Sequence, residues 1–151
     1  MADLLECVLQ IKGLRETTDR LSDLVKRAEP SRLGLTPRDR TIPPVADLLR
    51  RLADGEADHG AWLRSTLGVP APYESFHDDG MFDGFDVFGL YTRFLRRRGQ
   101  NLELLDRCSA ADLSRTGAHP VRGTMTVADM VALMLAADFD SLAEIRGAFG
   151  L

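Results

Sequence analysis

The stretch VADMVALMLAADFDSLAEIR, residues 127–146, decides the fold class of this protein. Its apolar side chains recur every three or four residues, which is the spacing of one face of an α-helix. Thr126 and Asp129 stand in the arrangement of a capping box, so we predict that this helix begins at about residue 127.

Three further amphipathic patterns precede this helix, whereas no stretch of the chain alternates cleanly between apolar and polar residues over five positions. The patterns predict helices from about residue 3 to 28, from Thr41–Pro44 to Gly68, and from about Asp86 to Arg107, with a short helical turn at 109–112. We therefore predict an all-α fold, a four-helix bundle that forms a single domain over residues 1–151.

The composition is that of a globular protein, with 44% hydrophobic and 28% charged residues among 151. The net charge of -4 argues against nonspecific binding to nucleic acid, which needs a basic surface. No apolar segment is long enough to span a membrane, and the first residues lack the basic region of a signal peptide, so we expect a cytoplasmic protein. Cys7 and Cys108 are too few for a disulfide framework or a zinc cluster, and we expect both to pack as small hydrophobic residues.

Four motifs carry a resemblance to a known family. They are RLADGE at 51–56, RTGAHP at 115–120, GTMT at 123–126 and ADFDSLAEI at 137–145. Along nearly its whole length the chain resembles the DinB/YfiT-like superfamily, a bacterial-type, stress-related family of four-helix bundles. The corresponding family motifs read H-L-A-D-x-E, R-T-G-x-H-P, G-x-M-T and H-D-x-x-H-L-x-x-I.

The resemblance implies a site for a divalent transition metal held by three histidines, one on the second helix and two on the fourth. Residues four apart share a helix face, and three neutral imidazoles leave one coordination position open for water or substrate. Several members of the family are thiol-dependent transferases, in which the metal holds the thiolate of a small thiol.

At the three aligned positions this chain has Arg51, Ala137 and Ser141. Alanine has no lone pair to donate, serine is a poor ligand for such metals, and arginine is a permanent cation with donors only. A divalent ion about 4 Å from a guanidinium is repelled by ~8 kcal/mol at an effective dielectric constant of about 20. We therefore expect neither a metal nor another cofactor at these positions.

Arg51 offers a replacement for the lost positive charge. Asp138 falls on the inner face of the fourth helix beside Ser141, and a buried carboxylate is costly unless it is paired. We predict that Arg51 pairs with Asp138 across the former metal pocket, where Ser141 is a further partner. The alternatives are that Arg51 points to solvent or binds an anion.

The third helix carries a run of arginines. Arg98 falls on its apolar stripe, and we predict an ion pair with an inner acid such as Glu56. Arg96 and Arg97 lie off the stripe, where we expect them to be solvated. No aromatic platform or second basic helix accompanies the run, so we expect no nucleic-acid binding.

The chain has three histidines. We expect His59, at the inner edge of the second helix, to be packed and hydrogen-bonded, and His77, next to two aspartates, to lie in a solvated loop. His119 lies in the turn that matches the family motif. We interpret it as making a structural hydrogen bond, with contact to a pocket ligand as the alternative.

Residues 69–85 form a long loop rich in aromatic and acidic side chains. A loop of this length in a compact domain is usually functional or packs over a site. Together with Trp62 and Phe88, its aromatic residues predict a hydrophobic lid, with a homodimer interface as the alternative.

Three functions remain open. The first is a DinB-like protein without the metal, non-catalytic or binding a small ligand, and this is the one we favour over an enzyme. The second is a metal-independent transferase whose pocket, lined by Arg51, Asp138, Ser141 and His119, holds a small anionic or thiol ligand. The third is a dimeric interaction module. We expect no nucleic-acid or membrane partner.

Overall fold

The computed structural model describes residues 4–27, 45–70 and 87–149. In chain order the elements are α1 (Leu4–Arg27), α2 (Val45–Leu67), α3 (Val87–Asp106), α4 (Ala110–Leu113), β1 (Thr116–His119), β2 (Gly123–Thr126) and α5 (Val127–Phe149). The predicted all-α bundle is confirmed, and α1, α3 and the start of α5 lie within a residue of their predicted bounds. Three predicted features lie outside the described residues: the start of the second helix at Thr41–Pro44, the residue His77, and most of the 69–85 loop.

Two capping boxes stabilise the first turns of α4 and α5. Ser109 Oγ accepts from the backbone N–H of Asp112 at 3.1 Å, and the Asp112 carboxylate accepts from the Ser109 N–H at 3.0 Å. Thr126 and Asp129 make the same reciprocal pair, with both distances 3.0 Å, at the start of α5. Both boxes were predicted from the sequence, and each supplies partners to backbone amides that the helix itself cannot satisfy.

The long helices pack pairwise, α2 against α3 and α1 against α5, and α2 also contacts α5. Their buried side chains form two apolar clusters. One is centred on Leu49, Phe94 and Ile145. The other is centred on Leu14, Leu63 and Met130.

Polar residues separate these two clusters on every long helix. In sequence, Thr17 on α1, Glu56 on α2, Arg98 and Asn101 on α3, and Asp138 on α5 each stand between members of one cluster and members of the other. All five are buried. The bundle therefore has a polar layer, defined by these five residues, between two apolar halves.

The segment before α5, predicted as a loop, contains a short antiparallel hairpin in which Thr116 pairs with Thr126 and His119 with Gly123. Each strand has only four residues, which is too short for alternation to reveal in the sequence. The hairpin packs on α2, since Trp62 Nε1 donates a hydrogen bond of 3.1 Å to the carbonyl oxygen of Ala118. Across the described ranges, no helix is both long and apolar enough to cross a membrane.

Candidate functional site

Arg98 is the centre of the polar layer. Its Nη1 and Nη2 atoms each lie 2.7 Å from one oxygen of the Asp138 carboxylate, which makes a bidentate pair between α3 and α5. Nη2 also donates to Glu56 Oε1 on α2 at 2.6 Å. Nη1 donates to Thr18 Oγ1 on α1 at 3.1 Å. One guanidinium thus connects all four long helices of the described chain.

The two carboxylates have further partners. Thr17 Oγ1 donates to Asp138, and Asn101 Nδ2 donates both to the Glu56 carboxylate, at 2.8 Å, and to the Glu56 backbone oxygen, at 3.0 Å. The Asn101 amide oxygen in turn accepts from Arg64 Nη1 at 3.2 Å. These bonds hold both acids in fixed orientations, which buried charges require.

The Glu56–Arg98–Asp138 triad lies almost entirely out of water. Arg98 is 1% exposed, Glu56 3% and Asp138 6%. Burial acts to lower the pKa of the Arg98 guanidinium, but its hydrogen bonds to the Asp138 carboxylate and the charge of Glu56 outweigh it and hold this pKa above its usual value. Arg98 is therefore a permanent cation, and the triad carries one cation against two acids.

A cleft of about 130 Å³ opens beside the triad. Its lining comprises Leu48, Arg51, Leu52, Gly55, Glu56, His59, Arg98, Met134, Ala137, Asp138, Ser141 and Glu144. The triad contributes to one side of this lining, and Arg51 and Glu144 contribute an exposed pair, with Arg51 Nη2 3.0 Å from Glu144 Oε2. A much smaller space of about 10 Å³, barely room for one water molecule, shares Leu52, Arg98, Asp138 and Ser141 with the cleft.

The predicted pair between Arg51 and Asp138 is wrong. The Arg51 side chain is 65% exposed and pairs with Glu144 one turn beyond Ser141, whereas both Asp138 oxygens are bound by Arg98. The predicted pair between Arg98 and Glu56 is confirmed. The sequence signal for the full triad was present, because Arg98, Glu56 and Asp138 are the charged residues on the apolar stripes of three helices.

The structure confirms the first interpretation of His119 and corrects the prediction for Arg97. His119 is not among the residues that line the cleft, since its Nδ1 accepts hydrogen bonds from the backbone N–H groups of Val121 and Arg122, at 3.2 and 3.1 Å, and so stabilises the hairpin turn. Of the two readings of His119, the structural hydrogen bond is the one found. Arg97, expected in solvent, donates to the Ala53 carbonyl oxygen at 2.9 Å and thereby joins α3 to α2.

His59 lines the cleft and is half-buried. Burial lowers the pKa of its imidazole, and the charge of Arg98 lowers it further, against the opposing effect of Glu56 and other acids. Within the described residues its ring makes no hydrogen bond, contrary to expectation. His59 therefore presents a neutral imidazole to the cleft at neutral pH, with a donor and an acceptor available.

Arg51, Ala137 and Ser141 come together on this one cleft, as expected if they occupy corresponding positions around a former site. Their donors do not suit a transition metal, because only the Ser141 hydroxyl has a usable lone pair. In the described part of the chain, no group of three or more histidine, cysteine, aspartate or glutamate residues could hold a metal ion. The residues present therefore do not fit the metal that the resemblance implies.

Three comparisons place the chain among known proteins. A profile described as "DinB superfamily" matches residues 13–138. A solved structure, described as "YfiT from Bacillus subtilis is a probable metal-dependent hydrolase with an unusual four-helix bundle topology", superposes with a TM-score of 0.75. It is 19% identical in sequence, and the match covers 98% of this chain and 88% of that one. Comparison with curated protein sequences gives no match. Since the profile spans most of its length, the chain belongs to the DinB superfamily.

Proposed function

We propose that this protein is a DinB-like domain that works without the three-histidine metal site of its relatives and binds a small ligand in the cleft, without catalysing a reaction on it. The observation that carries the proposal is the chemistry of Arg51, Ala137 and Ser141, which line one cleft and offer a cation, a methyl group and a hydroxyl. A site for a divalent transition metal needs several electron-pair donors and no fixed positive charge, whereas this set offers one weak donor, the Ser141 hydroxyl, and the positive charge of Arg51.

The remaining polar groups of the cleft support binding more than catalysis. Glu56 and Asp138 are engaged by Arg98, so neither is free to act as a general base without breaking a buried ion pair. Ser141 and His59 both line the cleft, but within the described residues no hydrogen bond joins them. The pairing of nucleophile and base that activates a serine is therefore missing.

One observation favours a metal-independent transferase as the second candidate. His59 carries a neutral imidazole at neutral pH, and a neutral imidazole beside a cleft can take a proton from an incoming nucleophile such as a thiol. In that mechanism His59 would be the base, and His119, engaged in the hairpin turn, would have no part. Replacing His59 by asparagine would then abolish turnover, which is the test that separates this candidate from the first.

Metal analysis of the untagged protein, purified without added metal, tests the proposal directly. We expect less than a tenth of an equivalent of zinc, nickel or manganese, and no thermal stabilisation on adding any of them. The combined variant Arg51→His, Ala137→His and Ser141→His should gain a metal site, because it restores imidazoles at i and i+4 on one helix and a third on its neighbour. Stoichiometric metal in the unmodified protein would overturn the proposal.

A further inference from the structure

We infer that the ligand of the cleft is a small organic cation, an alkylammonium-type molecule with a short apolar chain. This inference rests on the proposed function, because it names the class of ligand for the same cleft. It departs from the small anionic or thiol ligand that the sequence suggested for a metal-independent transferase, and the reason lies in the charges and hydrogen bonds around the cleft.

The charged residues of the cleft lining have a negative balance. Two arginines, Arg51 and Arg98, stand against the three acids Glu56, Asp138 and Glu144, and His59 is neutral at neutral pH. The excess charge resides in the buried triad, where solvent compensates it poorly. A cation in the cleft would relieve this excess, whereas an anion would increase it.

The two buried carboxylates also retain acceptor capacity. Together, Glu56 and Asp138 accept five side-chain hydrogen bonds, from Arg98, Thr17 and Asn101. An ionised carboxylate has about four lone-pair sites, so roughly three of the eight remain unused. Both acids line the cleft, and an ammonium group, with its N–H donors and no acceptor, matches that demand.

Both arginines are already paired with carboxylates, which weakens their attraction for an anion. The Arg98 terminal nitrogens are engaged by two carboxylates, and only its Nε–H lacks an acceptor among the described residues. One N–H on a guanidinium already neutralised by two acids attracts an anion weakly. Arg51 is engaged by Glu144 at 3.0 Å, so an anion would have to compete with that carboxylate.

Apolar residues supply the remainder of the lining. Leu48, Leu52 and Met134 line the cleft together with the acids. An alkyl chain of a few carbons would gain about 0.8 kcal/mol for each methylene group that it removes from water. A lining that combines apolar side chains with buried carboxylates suits a molecule with a charged head group and a short hydrocarbon chain.

A matched set of probes tests the inference. Butylammonium, butanol and butyrate share the same stem and differ in head-group charge. Each would be titrated into isotopically labelled protein at pH 7.5 and low salt, and binding followed through the backbone amide signals of residues 48–59 and 134–144. We expect butylammonium to bind most tightly of the three, and increasing salt to weaken it, since screening reduces the attraction.

Neutralising either member of the exposed Arg51–Glu144 pair should change the affinity for butylammonium, in opposite directions. Glu144→Gln should weaken butylammonium binding about threefold, and Arg51→Gln should strengthen it by a similar factor, as expected for exposed charges. Asp140→Asn and Arg50→Gln are the matched controls, because neither residue lines the cleft, and both should leave the affinity unchanged.

The outcomes separate this inference from the proposed function. If butyrate binds in the cleft more tightly than butylammonium, or if Arg51→Gln weakens binding of butylammonium, the cationic ligand is wrong while a ligand-binding cleft stands. If none of the three probes nor a small thiol moves the cleft signals, both the inference and the proposed ligand-binding function are wrong.

Discussion

Arg98 and Asp138 form a bidentate ion pair in which the two terminal guanidinium nitrogens each lie 2.7 Å from a carboxylate oxygen. The guanidinium also lies over the ring of Phe94, with its carbon 5.1 Å from the ring centroid. The planar fork of arginine matches a carboxylate in this way and lysine does not. This pair, with Glu56, is the feature on which the packing of the bundle centre depends.

Loss of Arg98 should destabilise the protein strongly. Arg98→Met leaves Glu56 and Asp138 buried without a cation, and we expect the free energy of unfolding to fall by about 3–5 kcal/mol. Urea denaturation at pH 7.5 measures this. Arg107→Met is the control, because among the described residues the Arg107 side chain pairs only with the exposed Glu103, and it should change the stability by less than about 0.5 kcal/mol.

Replacing the two acids together with Arg98 should recover part of the free energy of unfolding that Arg98→Met loses. In the combined variant Arg98→Met, Glu56→Gln and Asp138→Asn no charge remains buried, so the penalty is smaller than for Arg98→Met alone. Equal stability of Arg98→Met and the unmodified protein would contradict the assigned role of the triad.

His59 should make the stability fall as the pH drops below about 6.5. Burial lowers its pKa in the folded protein below the ordinary value, so acidification adds a proton more readily to the unfolded chain. The contribution is complete above the unfolded pKa of about 6.5 and is lost as the pH falls towards the folded value.

NMR titration of the His59 ring protons measures that pKa, and we expect a midpoint below that of a free histidine. The variant His59→Asn should reduce the difference in unfolding free energy between pH 7.5 and 5.5. A midpoint above about 6.5 would contradict the lowering of the His59 pKa by burial.

The two cysteines should react slowly with alkylating reagents in the folded protein. Burial raises the pKa of the Cys108 thiol to about 11, and burial together with Glu6 raises that of Cys7. At pH 8 roughly one part in a thousand of Cys108 is then thiolate, the form that reacts. Mass spectrometry after iodoacetamide treatment, with protein unfolded in urea as the reference, should find much slower modification of both thiols when folded.

Two glycines on neighbouring helices should respond in opposite ways to alanine. A Cβ at Gly60 would lie 2.5 Å from Asn101 Oδ1 and 2.6 Å from Arg64 Nη1, so Gly60→Ala should displace the amide that holds Glu56 and destabilise the bundle. A Cβ at Gly99 meets nothing within 4 Å, and Gly99→Ala should stabilise α3 by about 0.5–1 kcal/mol. Thermal unfolding of the two variants tests both predictions. A higher midpoint temperature for the Gly60→Ala variant would contradict the close packing of α2 against α3.

The helices of the bundle could be predicted from the sequence because their apolar spacing and capping boxes are local signals. The hairpin could not, since four-residue strands leave too short a pattern and Trp62, which helps to hold them, lies far away in sequence. The pair between Arg98 and Glu56 was predictable from two charges on facing apolar stripes. The predicted ion pair between Arg51 and Asp138 was wrong because sequence spacing shows which face of a helix carries a residue but not how deeply its side chain is buried.

The polar layer also limits how the helices can move past each other. A shift of α2, α3 or α5 by one turn, about 5.4 Å, would carry a buried charge into an apolar half and leave its counterions unmatched. The polar layer therefore disfavours sliding of the helices past one another and fixes their relative position along the bundle axis. The cleft residues outside the triad, such as Arg51, Ala137 and Ser141, take no part in this alignment, so substitutions there can alter ligand preference while the helices keep their positions.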